Sequence, residues 1–169
     1  TNKTSIFDYR TNQWSRTDDM NTGRWYPGSV MLPGDKAFTM LGRPGGPYPE
    51  VWTESNGWTL LTGANLNNGV LNFSGYQSTW LPYVHLMPNG NVFHSGPTAQ
   101  MNIINPTGNG SISSAGLTNS WYPKYSATIM YDKGKILVAG GAVTGGDNAQ
   151  GSTQAMIIDV NGSSPTKTN

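Results

Sequence analysis

The chain writes the same short design three times, and a sequence that repeats a unit folds as a set of stacked copies of that unit. Trp25-Tyr26-Pro27 leads to Val30-Met31-Leu32-Pro33 and then Lys36-Ala37-Phe38-Thr39-Met40. Leu81-Pro82-Tyr83 leads to Val84-His85-Leu86-Met87-Pro88-Asn89-Gly90 and Val92-Phe93, and Trp121-Tyr122-Pro123 leads to Ala127-Thr128-Ile129-Met130 and Lys135-Ile136-Leu137-Val138. Each reads as strand, tight turn, strand. The turns are Pro33-Gly34-Asp35, Pro88-Asn89-Gly90 and Asp132-Lys133-Gly134, whose Gly, Asn and Asp residues tolerate the positive φ that a hairpin needs.

A glycine closure follows each hairpin, at Gly42, Gly96 and Gly140-Gly141, and then a further strand with a hydrophobic pair: Glu50-Val51-Trp52-Thr53, Asn102-Ile103-Ile104-Asn105 and Met156-Ile157-Ile158-Asp159. Ser5-Ile6-Phe7-Asp8 opens the chain with the same element, and Phe7, Trp52, Ile104 and Ile158 are spaced by 45, 52 and 54 residues. A period near 50 with four short strands per unit is the signature of a kelch-type β-propeller blade. Trp14 and Trp58, each six or seven residues past such a strand, mark outer strands. The fold class expected is therefore all-β, about three four-stranded antiparallel blades of a propeller. Residues 1–19 read as the outer strands of one blade, 20–78 as a second blade with a long loop, 79–119 as a third, and 120–169 as a fourth that stops at its third strand. Closed propellers use about four to eight blades. The expectation is thus a portion of a longer propeller, with a self-associating half-propeller as the alternative.

Composition narrows the partners. Gly at 22 and Pro at 11 make about a fifth of the 169 residues, against roughly 12% on average, which favours turns and short strands. Six Trp, 8 Tyr and 4 Phe accompany only 10 basic and 9 acidic residues, too apolar a balance for a disordered chain. The net charge of +1 offers no basic stripe for a phosphate backbone, so nucleic acid is excluded as a partner. No run of 18 apolar residues occurs, and no membrane span is expected. Zero cysteines remove disulfides and thiolate metal sites. The first residue is Thr1 rather than Met, from which removal of a leader or a larger piece is expected. Sequons at Asn2, Asn72, Asn109 and Asn161 fit a secreted or extracytoplasmic protein. The long polar stretches 61–78 and 142–153 read as flexible connections, the place where such scaffolds carry function.

At Asp19-Met20-Asn21-Thr22-Gly23-Arg24-Trp25-Tyr26-Pro27 the sequence resembles the galactose oxidase and glyoxal oxidase family of copper-radical oxidases. The likeness continues at Leu81-Pro82-Tyr83-Val84-His85-Leu86-Met87-Pro88-Asn89-Gly90-Asn91-Val92-Phe93, which is similar to a leading hairpin of glyoxal oxidases. Ser95-Gly96-Pro97-Thr98-Ala99-Gln100-Met101-Asn102, followed by the segment from Thr107 to Gly116, is similar to a galactose oxidase segment. Ala127-Thr128-Ile129-Met130-Tyr131-Asp132-Lys133-Gly134-Lys135-Ile136-Leu137 resembles the following blade.

In that family two tyrosines and two histidines hold one copper ion near the propeller axis, and one tyrosine is thioether-linked to a cysteine of the preceding blade. The resemblance puts Tyr26 at the position of the cross-linked tyrosine, so Tyr26 is the candidate copper ligand and candidate radical tyrosine. A copper-phenolate site of this kind takes two electrons from a primary alcohol or aldehyde, and oxygen leaves as hydrogen peroxide. The partner cysteine would fall before residue 1, and the other three ligands have no match here. Trp121-Tyr122-Pro123 repeats Trp25-Tyr26-Pro27 96 positions later, so the residues leave two readings of Tyr26 open: copper ligand, or packing aromatic of the repeat. Pro33-Gly34-Asp35 and Gly42-Arg43 depart from the family's turn and closure. His85 and His94 match no family ligand and read as packed or hydrogen-bonded; Asp18-Asp19 reads as solvated.

The function expected of the parent protein is that of a secreted copper oxidase, the alternative being a non-catalytic kelch propeller that binds carbohydrate or protein through its loops. The chain by itself is expected to be inactive, and to rest against the remainder of its propeller or against other copies of itself.

Overall fold

In the computed structural model, described over residues 1–66, 80–118, 122–144 and 148–169, the hairpins expected from the repeat form and stack in order. Strands β1 (Ser5–Asp8) and β2 (Gln13–Arg16) make a two-stranded sheet. Three four-stranded sheets follow, each a meander whose strands pair with their sequence neighbours: β3 (Gly28–Leu32), β4 (Lys36–Met40), β5 (Glu50–Thr53) and β6 (Gly57–Leu60); β7 (Tyr83–Leu86), β8 (Val92–Gly96), β9 (Gln100–Asn105) and β10 (Ser111–Leu117); β11 (Tyr122–Asp132), β12 (Lys135–Ala142), β13 (Ala155–Asp159) and β14 (Thr166–Thr168). All pairings are antiparallel, and no helix occurs among the described residues. The turns have the expected backbone, with φ of 77° and 55° at Gly34 and Asp35, 86° at Gly90 and 67° at Gly134.

One boundary differs from the sequence reading. The last unit was expected to end at its third strand, yet Thr166, Lys167 and Thr168 pair with Asp159, Ile158 and Ile157 as a short fourth strand. Three polar, exposed residues carry no alternation of apolar side chains, and that is why no periodicity marked them.

The first strands of the three complete sheets, β3, β7 and β11, lie side by side, β7 in the middle. They are the inner strands, and the sheets fan out from them as blades. Between the second and third sheets lies a core of Leu32, Phe38, Met40, Val51, Leu61, Val92 and Ile104. Between the third and fourth lies another, of Met87, Phe93, Met101, Ile136, Val138, Met156 and Ile158. Alternation places these side chains: successive strand residues face opposite seams, so Val92 and Phe93 enter different cores.

The pairings also fix which residues are equivalent. Phe38 pairs with Val51, Phe93 with Ile103 and Leu137 with Ile157, and on the inner strands Val30, His85 and Ile129 stand opposite Phe38, Phe93 and Leu137. The outer tryptophans close their units as expected: Trp14 stands opposite Phe7, with ring centroids 5.1 Å apart, and Trp58 opposite Trp52. Trp58 Nε1 also donates to Thr4 Oγ1 at 3.0 Å, tying the two-stranded sheet to its neighbour.

Candidate functional site

Four residues before the equivalent positions Val30, His85 and Ile129 stand Tyr26, Leu81 and Tyr125, and all three have left-handed backbones, with φ of 56°, 53° and 64°. Non-glycine residues adopt this region rarely, so its recurrence at three inner-strand lead-ins is a built feature of the unit. The lead-ins lie at the end of the sheets away from the hairpin turns. They touch directly: the Leu81 amide donates to the Tyr26 carbonyl at 3.2 Å. A side chain at Gly28 would put its Cβ 2.5 Å from the Pro82 carbonyl oxygen, so only glycine lets these two lead-ins approach.

Around Tyr26 the chain gathers an aromatic group. Trp25 and Tyr26 have ring centroids 4.6 Å apart, Trp25 meets Trp80 edge-on at 5.4 Å, and Tyr26 lies 6.4 Å from Trp80. The Arg43 guanidinium sits over the Trp80 ring at 5.9 Å, and the Arg43 amide donates to the Trp25 carbonyl at 2.8 Å. Tyr26 is 49% exposed: its phenol is held in place by neighbours yet remains open to a ligand. Lys124 Nζ stands 5.0 Å over the Tyr125 ring at the third lead-in, and burial pushes the Tyr83 phenol up from its ordinary value.

Sequence marked Arg43 only as a departure from the family's closure and missed Trp80, although a signal for Trp80 existed. Trp80-Leu81-Pro82 copies the spacing of Trp25-Tyr26-Pro27, and the second repeat begins one residue earlier than was read. The structure also resolves the other apparent copy. Trp121 lies outside the described residues, and Tyr122 pairs with Ala142 ahead of a register irregularity that ends at Ser126. Tyr125, not Tyr122, occupies the place equivalent to Tyr26. The Trp-Tyr-Pro at 121–123 is three residues out of frame and says nothing about Tyr26. Since the same backbone carries Tyr, Leu and Tyr in the three units, its geometry does not demand an aromatic.

The remaining candidates fall elsewhere. His85 Nε2 bonds Thr128 Oγ1 at 2.8 Å across the seam between β7 and β11, and burial lowers its pKa to about 4. His94 is fully enclosed, bonds Asn102 through Nδ1 at 3.1 Å, and is lowered to about 4, mainly by burial. Both are packing histidines, as expected. Asp19 is paired with Lys3 at 2.6 Å and Arg16 at 2.5 Å on the surface, and Asp18 is exposed. The stretch 61–78 lies outside the described residues from 67 onward, and 142–153 does so at 145–147.

Copper can be tested against these donors. Among the described residues no three of His, Cys, Asp and Glu come together to hold a metal, and neither histidine shares the Tyr26 lead-in. A single phenol without further donors beside it is a weak copper ligand. The described residues do not bring together a complete copper site of the kind expected from the resemblance.

No family model matches the chain. Two galactose oxidases of Gibberella zeae are each 32% identical to it over an alignment of 179 positions, covering 96% of the chain. The chain spans about a quarter, 26%, of those curated relatives' length. A solved fungal alcohol oxidase of the AA5 family, in complex with copper, matches 98% of the chain and 37% of its own length, with a TM-score of 0.85 and 27% identity. Over the part of the relatives' length that it spans, the chain belongs to the galactose oxidase-like family.

Proposed function

We propose that the chain forms part of a secreted, kelch-type copper oxidase in which Tyr26 contributes a phenol ligand, the whole protein oxidising primary alcohols or aldehydes with oxygen to give hydrogen peroxide. The observation that carries this reading is the placement of Tyr26: half-exposed at an inner-strand lead-in whose backbone accepts leucine equally well. Copper, when bound, would supply the electron-accepting centre. Trp25 packs against both the Tyr26 and Trp80 rings, and the two tryptophans present flat apolar surface to a substrate's carbon skeleton. Arg43 places its guanidinium charge over Trp80 beside this group. The further ligands and most of the pocket belong to the length of the relatives that this chain does not span, so the chain alone is expected to be inactive.

The exposed Trp25 favours a second reading, a kelch propeller that binds carbohydrate on this aromatic group without chemistry. The test is made on the full-length protein that carries these residues, loaded with copper and assayed for peroxide on primary alcohols, aldehydes and glyoxal. Tyr26→Phe is expected to abolish copper uptake and peroxide, while Tyr125→Phe keeps both. Sugar binding without copper uptake in the unsubstituted protein would replace the first reading by the second.

A further inference from the structure

Beneath the Tyr26 lead-in lies an ion pair closed to solvent. Arg24 Nη2 and Glu50 Oε1 are 2.8 Å apart, and both side chains are wholly buried. Arg24 also donates to the Leu41 carbonyl at 2.8 Å and the Tyr48 carbonyl at 2.9 Å. Glu50 accepts from the Asn21 amide at 2.7 Å, the Asn21 side chain at 2.9 Å and the Thr22 amide at 3.3 Å. The pair therefore grips two backbone segments at once. One, 21–26, ends in Trp25 and Tyr26; the other, 41–48, contains Arg43. Further bonds lock them together, from the Arg43 amide to Trp25 and from the Gly45 amide to Gly23. Leu41 and Gly42, at φ of 58° and 81°, and Tyr26 itself are left-handed, a conformation that persists where its surroundings over-determine it.

The repeat supplies an internal control. Glu50 pairs with Thr39, and the equivalent pairs are His94 with Asn102 and Val138 with Met156. Glu50, Asn102 and Met156 are all buried. The blade fold thus accepts a carboxylate, an amide or a thioether at one and the same place. A buried ion pair is not needed to build the unit, and such pairs are weak stabilisers relative to apolar replacements. It occurs in the unit whose lead-in carries Tyr26.

We propose that Arg24 and Glu50 are positioning residues for Tyr26, fixing the Trp25-Tyr26 backbone against Arg43 and Trp80 so that the phenol is presented in a single orientation. This rests on the reading of Tyr26 as the functional phenol, but its test reads ring geometry and not catalysis. Trp25 and Trp80 are close enough to couple their electronic transitions, and Trp25→Phe identifies the part of the far-ultraviolet circular dichroism that belongs to this pair. The measurement is made on the full-length protein with no copper added. The double variant Arg24→Met with Glu50→Met is expected to unfold at close to the original midpoint, as the Met156 position implies, while losing at least half of the couplet. Arg24→Lys keeps the charge but not the forked bonds to Leu41 and Tyr48, and is expected to be folded with a weakened couplet. A folded double variant with the full couplet would overturn the proposal; should that variant not fold, a full couplet in Arg24→Lys would do so. If the couplet falls as expected and the unsubstituted protein takes up no copper, the positioning role stands and only the functional reading of Tyr26 falls.

Discussion

Val51 and Ile157 occupy the same place in two units that stand two sheets apart, and meet different fates. Val51 is 8% exposed, packed in the seam that the second sheet shares with the third; Ile157 is 39% exposed on the outer face of the fourth sheet. The inner strands show the same contrast, with Val30 packed against that seam and Ile129 58% exposed. At the other end of the row Met31 is bare, and with Ile6, Phe7, Trp52 and Trp58 it lines a groove of about 520 Å³ beside the two-stranded sheet. Each unit is thus written with an apolar residue for a neighbour on both sides, whether or not this chain supplies that neighbour. A blade owes its stability to the seams, and the two regions should respond very differently to the same perturbation.

The largest difference is expected from truncation. Ile104→Ala removes a fully buried side chain from the first seam and should destabilise by about 2–5 kcal/mol. Ile157→Ala, on the outer face, should cost no more than about 1 kcal/mol. Denaturant titration of both variants checks this, and equal losses would show that the outer face is covered in solution.

Acid should open the seams next. His85 and His94, both facing seams, are held at about 4 by burial, below the ordinary 6.5. In the unfolded chain they bind protons from about pH 6.5 downward, while in the fold they stay neutral to about pH 4. The unfolded state therefore binds more protons in that window, and stability falls as pH drops from 6.5 to 4. The slope reaches about 1.4 kcal/mol per pH unit for each histidine. Unfolding midpoints measured across this range should flatten in the variant His85→Gln with His94→Gln. An unchanged slope in that variant would assign the acid response to other groups.

The smallest effect on stability, and the sharpest on association, belongs to the outer face. Ile129→Thr with Ile157→Thr should leave the unfolding midpoint nearly unchanged and lower self-association, because the exposed apolar patch is reduced. Sedimentation velocity at several concentrations would show it.

The repeat made most of this fold legible. Strands with alternating apolar residues and turns with Gly, Asn or Asp came through, since local propensity and tertiary need agree there. β14 did not, because Thr166-Lys167-Thr168 has no apolar side chain to register. Of the candidate site only Tyr26 was legible, through its resemblance to a family motif. Trp80 stands one residue ahead of the repeat read from Leu81-Pro82-Tyr83, and the match at Trp121-Tyr122-Pro123 is one of letters, not of register. The Arg24–Glu50 pair gave no sequence signal, because 26 residues separate its members and nothing in either neighbourhood announces that both charges will be buried.

The exposed apolar side chains at Met31, Ile129 and Ile157 leave outer faces fit for neighbours that the described residues do not supply. Light scattering on the isolated 169 residues over a range of concentrations tests this most directly. Mass should rise with concentration as the open faces find one another. A monodisperse monomer at every concentration, unfolding in one cooperative transition, would contradict it and show that the chain closes its own core.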